Sequence, residues 1–460
     1  MTMTRFRAAV LSLMAAIAAS PVPPLGAETL SRAAAVARAL EANPVVRKSQ
    51  EDLARYEGII TEARADALPE VTVNGSFNRF RDPSLLNSSS FDSFPPDFKE
   101  ALKPTPANLY EGTATLRQTL FSFKVGKALR AARFGRSFGR EELQRARQEV
   151  ALAAVQAYNE YLLNIEKVKV AEKAVRQRER QREIARNRRA SGVATDLDVL
   201  RFEVSLENQR AELFRVQAMA DLSRGRLNAV MVRPIDDPIT PTDALEYRPV
   251  EVSIEEAVRE AWSSRPEAKA IALIEKIRHE LVGVAQAEAR PSLELSAAYG
   301  WSVRQPSNFL ERDFTKWNTS VFLKVPVFDG LRTAGKVAQA KAEKNKVTQD
   351  RIALENQIRL EAKDAVDRLN VARRLIDVAD LTVTQAQKAL DMTEANYRLG
   401  AASSLDVLDA QAALTIAESN RNDALYVHAN ARASLRYVMA RDPLDPPRDQ
   451  GDRKDTGLTP

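Results

Sequence analysis

Four segments of the chain alternate between apolar and polar residues with a period of two. They are residues 70–80, 110–120, 292–303 and 316–325. One side of each segment collects valine, leucine and aromatic residues, and the other collects threonine, serine, asparagine and charged residues. Alternation over about ten residues predicts a β-strand with one apolar face. The pattern fits a lipid-facing outer-membrane strand with a wet interior, and it fits equally well a soluble ribbon packed on one face.

Two much longer segments, residues 127–190 and 336–399, contain neither proline nor a strand pattern. Each has about 64 residues and would form an α-helix about 96 Å long. Ordinary globular helices average about a dozen residues, so a helix of this length needs neighbours along its whole length. In the first segment Ala151, Ala154 and Tyr158 begin a series with steps of three and four, which is typical of a coiled-coil seam. We therefore predict long helices packed side by side.

The same order of elements occurs twice along the chain. Pro44 and Pro69, which follow short helical segments, recur as Pro266 and Pro291 at the same spacing. In each half the pattern indicates helix, strand, strand, very long helix, turn and long helix. Such self-similarity indicates a tandem duplication. The predicted fold is mainly α, with a duplicated protomer of long antiparallel helical hairpins and four β-strands.

The N-terminus has the pattern of a signal peptide. Arg5 and Arg7 precede an apolar run at 8–19 that is too short to cross a bilayer as a helix, and prolines follow it. We therefore expect an exported protein. We predict a signal peptide at 1–27, a linker at 235–250 and a flexible tail at 442–460. The first repeat covers 28–234, with a helical hairpin at 124–232 whose tip lies near 192. The second repeat covers 251–441, with a helical hairpin at 332–440 whose tip lies near 400.

The composition excludes several functional classes. The chain has no cysteine, and His279 and His428 stand alone, so we predict neither a disulfide frame nor a metal site. Its net charge of +6 is not concentrated on a basic face interleaved with aromatics, so we predict no nucleic-acid partner. It also lacks a nucleophile motif and a glycine-rich phosphate loop. We therefore predict a protein that is not an enzyme and uses no cofactor.

Four strands per chain are too few to close a barrel. Inside a bilayer the open edges would leave unpaired N–H and C=O groups, each costing several kcal/mol. Association is therefore required if the strands enter the membrane. Two chains would supply eight strands, whose interior side chains fill the lumen, and three would supply twelve, enough for a water-filled lumen.

Three motifs resemble the TolC family of outer-membrane efflux proteins. They are ALEANP at 39–44, VPVFDG at 325–330 and the turn NYRLGAASSLDVLDA at 396–410 between two long helices. The resemblance covers nearly the whole mature chain. It implies a homotrimer with a 12-stranded β-barrel among the lipids of a Gram-negative outer membrane and a 12-helix α-barrel through the periplasm. The linker 235–250 and the C-terminal tail would form an equatorial belt.

The resemblance also implies a passive duct for efflux or type I secretion, without covalent chemistry. Its partners would be a periplasmic adaptor of the membrane-fusion type and an inner-membrane transporter of the RND, ABC or MFS class. The rival from another class is a periplasmic or surface coiled-coil scaffold without a pore. That rival explains the long helices and the export, but not the repeated pairs of amphipathic strands.

Asp406 and Asp409 follow the second predicted tip and share one helix face, because they are three residues apart. In a trimer with this face inward, six carboxylates would crowd the entrance of the tunnel. Rings of carboxylates favour cations and can gate a pore. In the family, the matching aspartates line the periplasmic constriction. We therefore predict that these two residues form a gate and selectivity ring.

The family holds its entrance shut through links that match Tyr397 and Asp198, so the resemblance implies gate-locking roles for both. A simpler interpretation of Asp198 is a favourable charge at the start of a helix. Ala402 stands where a link-forming arginine is expected, and Leu197 replaces a polar neighbour. The closed state would then be held differently from the family's best-known pattern.

We further hypothesise that the two hairpin tips dock the adaptor. Gly192 and Gly400 suit the left-handed position that ends a helix, so each marks the turn of a hairpin. Arg189 and Arg398 lie beside these turns and are the charged residues expected to contact the adaptor.

Overall fold

The computed structural model describes residues 28–84, 95–97 and 105–444. The predicted signal peptide and residues 445–460 of the predicted tail lie outside the described residues. Two compact units divide the chain: the first comprises Met1–Ser49, Leu143–Pro266 and Glu355–Pro460, and the second comprises Gln50–Glu142 and Glu267–Leu354. Each unit takes segments from both sequence repeats, so the compact units do not coincide with the predicted repeats. The reason is that matching segments of the two repeats pack beside each other.

The elements repeat in order and in length. In the first repeat they are β1 (Glu28–Leu30), α1 (Arg32–Ala42), α2 (Pro44–Ala65), β2 (Glu70–Phe80), β3 (Ala107–Ser122), α3 (Phe123–Ala190) and α4 (Asp196–Val230). In the second they are β4 (Ile239–Pro241), α5 (Ile254–Ser264), α6 (Pro266–Ala287), β5 (Ser292–Val303), β6 (Thr315–Lys324), α7 (Arg332–Leu399) and α8 (Ser404–Val438). Short 3₁₀ turns at Pro306–Asn308 and Arg312–Phe314 precede β6.

Corresponding helices of the two repeats have equal lengths. The first two helices of each repeat have 11 and 22 residues, and the hairpin helices have 68 and 35. Equal lengths are what a tandem duplication produces, and the predicted fold class is confirmed. Within the described residues, no helix has the length and apolar character needed to cross a membrane.

The second unit contains an antiparallel four-stranded sheet in the order β2-β3-β5-β6. The two strands of each repeat form a hairpin, and β3 pairs with β5 to join the repeats. The structure extends β3 beyond the predicted 110–120, because β2 pairs with it as far as Ala107 and β5 as far as Ser122. A register shift lies between Thr119 and Phe121. Strands β2 and β6 are the two edges of this sheet.

The sheet has one apolar and one polar face. Register places Val73 and Trp317 on the apolar face, where they are 79% and 74% exposed. On the other face Lys316 Nζ lies 2.7 Å from Glu111 Oε1, which also accepts a 3.1 Å hydrogen bond from Ser302 Oγ. The large residues of the apolar face are Val71, Val73, Phe77, Tyr110, Leu116, Phe121, Leu293, Leu295, Tyr299, Trp301, Trp317, Val321 and Leu323.

The first unit contains a small sheet that the sequence did not predict. Strands β1 and β4 pair in parallel, and β4 lies within the predicted linker. Two tyrosines on α3 bind this sheet: Tyr158 donates to the carbonyl oxygen of Leu30 at 2.8 Å, and Tyr161 donates to that of Ile239 at 2.9 Å. Burial raises the pKa of Tyr158 to about 12, so its hydroxyl stays a donor. The linker is thereby tied to the long helix.

Gly300 provides a test of the strand packing between β3 and β5. A Cβ at this position would lie 2.1 Å from the carbonyl oxygen of Gly112 and 2.8 Å from Cα of Thr113, so the backbone would have to move. We expect Gly300→Ala to destabilise the folded protein by about 1–3 kcal/mol, measured by denaturant unfolding in detergent. Gly75→Ala is the matched control, because its Cβ would meet only Glu111 O at 3.9 Å. Equal stability of the two variants would contradict the close approach.

Candidate functional site

The tip of each hairpin turns on a glycine with a positive φ. Gly192 has φ +79° and Gly400 has φ +80°, where a side chain would add strain. The N–H of Gly192 donates to the carbonyl of Arg189 at 2.9 Å, and that of Gly400 to the carbonyl of Tyr397 at 3.1 Å. Together with the bonds of the next residues, these form the Schellman ending of a helix. Both glycines therefore lie at the predicted turns.

Each returning helix begins with a capping box. Asp198 accepts hydrogen bonds from the N–H and hydroxyl of Thr195, at 3.0 and 2.8 Å. Asp406 accepts the same two bonds from Ser403, both at 2.7 Å, and these bonds lower its pKa. An aspartate three residues after the cap satisfies a backbone donor that the helix leaves free. Both carboxylates therefore have a helix-capping role in the single chain.

Asp198 also links the two hairpin tips. Its second oxygen accepts a 2.6 Å hydrogen bond from the hydroxyl of Ser404, which is only 1% exposed and begins α8. This bond, followed by those from Thr195, lowers the pKa of Asp198. Because the pKa of Asp198 is lower in the folded than in the unfolded chain, its ionised form stabilises the fold fully above the ordinary aspartate pKa of about 4. This stabilisation is lost as the pH falls through the folded-state pKa. At neutral pH the carboxylate of Asp198 is therefore ionised, and its bond with Ser404 contributes fully to stability.

Tyr397 lies at the same junction, in contact with both hairpins. It is 6% exposed, and its ring packs edge-on against Phe202 at 6.2 Å between centroids. Ala402, at the position where the family's arginine is expected, packs against this apolar cluster. Burial raises the pKa of Tyr397; the charge of Arg188 opposes this rise, and the charge of Asp198 adds to it. The two predicted gate-locking residues are thus neighbours, although the hydroxyl of Tyr397 has no hydrogen-bond partner among the described residues.

Arg188 is the residue that the sequence analysis missed. Its guanidinium lies 4.8 Å from the ring centroid of Tyr397 and donates to the carbonyl oxygens of Tyr397 and Arg398, at 3.0 and 3.1 Å. It therefore caps the end of α7 from the other hairpin. Its partners lie 209 and 210 positions away in the sequence, so no local pattern identifies it.

The two arginines chosen from the sequence have more local contacts. Arg189 forms an ion pair with Asp196 across the first tip. Arg398 donates from Nε to the carbonyl of Glu394 at 3.3 Å, one turn earlier in its own helix. Both arginines remain exposed, so they are available to a partner.

Asp406 and Asp409 are both exposed on α8, away from the fully buried Val407. Apart from the capping bonds of Asp406 with Ser403, neither carboxylate has a hydrogen bond or ion pair within the described part of the chain. The pair is therefore a free patch of negative charge beside the tip. Across residues 28–84, 95–97 and 105–444, no cluster of three or more His, Cys, Asp or Glu side chains could hold a metal ion.

A protein-family model described as outer membrane efflux protein matches residues 35–231 and 257–441. These two stretches contain both hairpins and all strands of the four-stranded sheet. The chain belongs to the outer membrane efflux protein family. The predicted family and outer-membrane location are therefore confirmed, and the two matched stretches follow the duplication.

Individual relatives of the chain are distant in sequence and close in fold. Outer membrane protein OprJ of Pseudomonas aeruginosa is 24% identical over 327 residues, covering 67% of this chain and 62% of that protein. A membrane protein from Pseudomonas aeruginosa, known from its crystal structure, has a TM-score of 0.76 at 22% identity, covering 89% of this chain and 90% of its own. The CmeC outer membrane channel of Campylobacter jejuni has a TM-score of 0.75 at 16% identity, covering 90% and 87%.

The bond between Ser404 and Asp198 can be tested by removing its hydroxyl. We expect Ser404→Ala to leave the partly buried carboxylate with one donor fewer and to lower the local stability of the tips by about 1–2 kcal/mol. Amide hydrogen exchange should then be faster at residues 193–204 and 400–408. Ser191→Ala is the control, since it removes an exposed tip hydroxyl that bonds only within its own helix. Unchanged exchange in Ser404→Ala would show that the bond does not hold the tips together.

Proposed function

We propose that this chain is the outer-membrane channel of a tripartite efflux system. Membership of the outer membrane efflux protein family supports this role. The single observation that carries it is the four-stranded sheet, whose apolar face is exposed over residues as large as Trp317 and Leu323. A contiguous exposed apolar face in a folded chain needs a lipid or protein environment. A coiled-coil scaffold without a pore gives no reason for such a sheet.

We propose further that three copies assemble into one channel. The edges of the sheet, β2 and β6, run antiparallel to each other, because the sheet has four strands and every neighbouring pair is antiparallel. The edge of one copy can therefore pair with the opposite edge of the next. Three copies supply twelve strands, which enclose a water-filled lumen, whereas eight would be filled by side chains.

The duct would receive its cargo from a periplasmic adaptor of the membrane-fusion type and an inner-membrane transporter of the RND, ABC or MFS class. The proposed role is passive conduction, in efflux or type I secretion. The tips suit such a partner, because they expose both charged residues, such as Arg189 and Arg398, and apolar ones, such as Leu399, over a packed buried cluster. A packed tip gives an adaptor a defined surface to bind.

We propose that Asp406 and Asp409 form the gate and selectivity ring of this channel. Both carboxylates are exposed beside the tip, so three chains would bring six negative charges together if this face of α8 lines the lumen. Such a ring raises the local concentration of cations. The capping role of Asp406 uses only one of its oxygens, so the other remains available.

Single-channel recording of an Asp406→Asn, Asp409→Asn double variant tests the ring. Asparagine keeps an acceptor for the N–H of Ser403 and removes the charge, so we expect cation selectivity to fall towards that of an uncharged pore. The Asp406→Glu, Asp409→Glu variant is the control, because it retains both charges and should retain the selectivity. Unaltered selectivity in the asparagine variant would exclude these residues as the ring.

The docking role of the tips is tested by reversing charge at Arg189 and Arg398. If these exposed side chains contact the adaptor, Arg189→Glu and Arg398→Glu should each reduce chemical crosslinking to it in intact cells. Arg351→Glu is the control, because Arg351 is exposed on the same long helix as Arg398, far from the tip in sequence. Normal crosslinking in both tip variants would contradict docking through these residues.

A further inference from the structure

A cavity of about 140 Å³ lies within the first unit and is lined by three arginines. Arg32 begins α1, Arg248 lies in the segment after β4, and Arg432 lies on α8. Asp243 is the acidic residue among the described residues that line it. We call this space the arginine cavity.

Asp243 does not neutralise the arginines. One of its oxygens accepts a hydrogen bond from the backbone N–H of Arg32 at 2.7 Å and lies 3.0 Å from the hydroxyl oxygen of Tyr158. Its carboxylate forms no ion pair with an arginine side chain in the part of the chain that the structure describes. Glu246 pairs with Arg248 at 3.3 Å, but that pair is largely exposed. The cavity therefore keeps an excess of positive charge.

The guanidinium of Arg432 is poorly compensated. Burial and the charges of Arg248, Arg32 and Arg436 lower the pKa of Arg432 to about 10, and the charge of Glu246 offsets this only in part. Its Nη1 and the Nε of Arg32 are shielded from solvent and have no partner among the described residues. Buried donors are normally paired, and a buried cation normally has a counter-charge. Asn159 Oδ1 also lines the cavity without a donor from the described chain, but it is neutral, so the two donors and the buried cation indicate a missing anionic acceptor.

The size of the cavity limits what that acceptor is. Pockets for drug-sized ligands have volumes of about 300–1,000 Å³. A cavity of about 140 Å³ is too small for such a molecule. A group with a few oxygen atoms, such as a carboxylate or a phosphate, is compact enough and matches the donor geometry of guanidinium groups.

We propose that the arginine cavity binds one compact oxyanion, held by charge-assisted hydrogen bonds from Arg432 and its neighbouring arginines. Two sources share this chemistry. One is a free phosphate-like anion, and the other is an aspartate of this chain's own C-terminal segment, because Leu444 lines the cavity and Asp445 follows it directly. Either occupant would stabilise the first unit by binding to the folded state. The site does not depend on the proposed channel function.

Thermal unfolding of the full-length protein against increasing inorganic phosphate, with chloride holding the ionic strength constant, tests the site. The second arm is a full-length variant in which Asp445, Asp449, Asp452 and Asp455 are all asparagine. A saturable rise of the midpoint in both proteins indicates a free anion. A rise only in the asparagine variant indicates that the tail occupies the cavity in the wild type. Either result supports the site.

Arg432→Gln and Arg248→Gln decide whether the response belongs to the arginine cavity. We introduce each into the asparagine variant and expect phosphate binding about tenfold weaker or more, since each removes a charged donor. Arg248 is exposed, so its variant should fold even if the one at Arg432 does not. Arg259→Gln is the control, because it removes an exposed charge from α5, away from the cavity. The proposal is overturned if phosphate has no saturable effect in either starting protein, or if the effect survives the cavity variants.

Discussion

The two open edges of the four-stranded sheet are the constraint on which the rest of the structure depends. Strands β2 and β6 each present a row of backbone groups that no strand of the described chain pairs. In lipid, unpaired groups of this kind cost several kcal/mol each. The exposed apolar face makes lipid the natural environment of the sheet, and pairing with other copies removes the edges. The proposed association and the proposed channel both rest on this single requirement.

Duplication gives the two halves of the chain the same scaffold, and sequence divergence between them accounts for the contacts that join their tips. The two hairpins have helices of equal length and equivalent glycine turns. Ser404 of the second hairpin corresponds to Asp196 of the first, and of these two residues Ser404 donates to a carboxylate of the other hairpin, whereas Asp196 pairs with Arg189 of its own hairpin. Arg188 likewise crosses to the end of α7. The repeats therefore supply the same scaffold, while residues that differ between them make contacts between the two tips.

The sequence predicted what depends on local periodicity. Strand β2 begins and ends at the predicted residues, and the tip glycines lie at the predicted turns, because alternation and positive φ leave local signals. The bond between Ser404 and Asp198 joins residues 206 positions apart, and the packing of Arg188 on Tyr397 is also long-range. Nothing in either local segment identifies the partner. The three-residue strands β1 and β4 are too short for any period to show.

Disulfide crosslinking of the sheet edges tests the account most directly. Because the chain has no native cysteine, every disulfide formed must join introduced residues. Val71→Cys on β2 would be combined in turn with cysteine at Trp317, Thr319, Val321 or Leu323, which lie on the same face of β6. Two strands that pair directly bring cysteines within disulfide distance at one register. We expect at least one double variant to give covalent trimers on oxidation, while the single variants remain monomeric on denaturing gels. Absence of crosslinked species from all four pairs, or a ladder that ends at dimers, would contradict a trimer closed through β2 and β6.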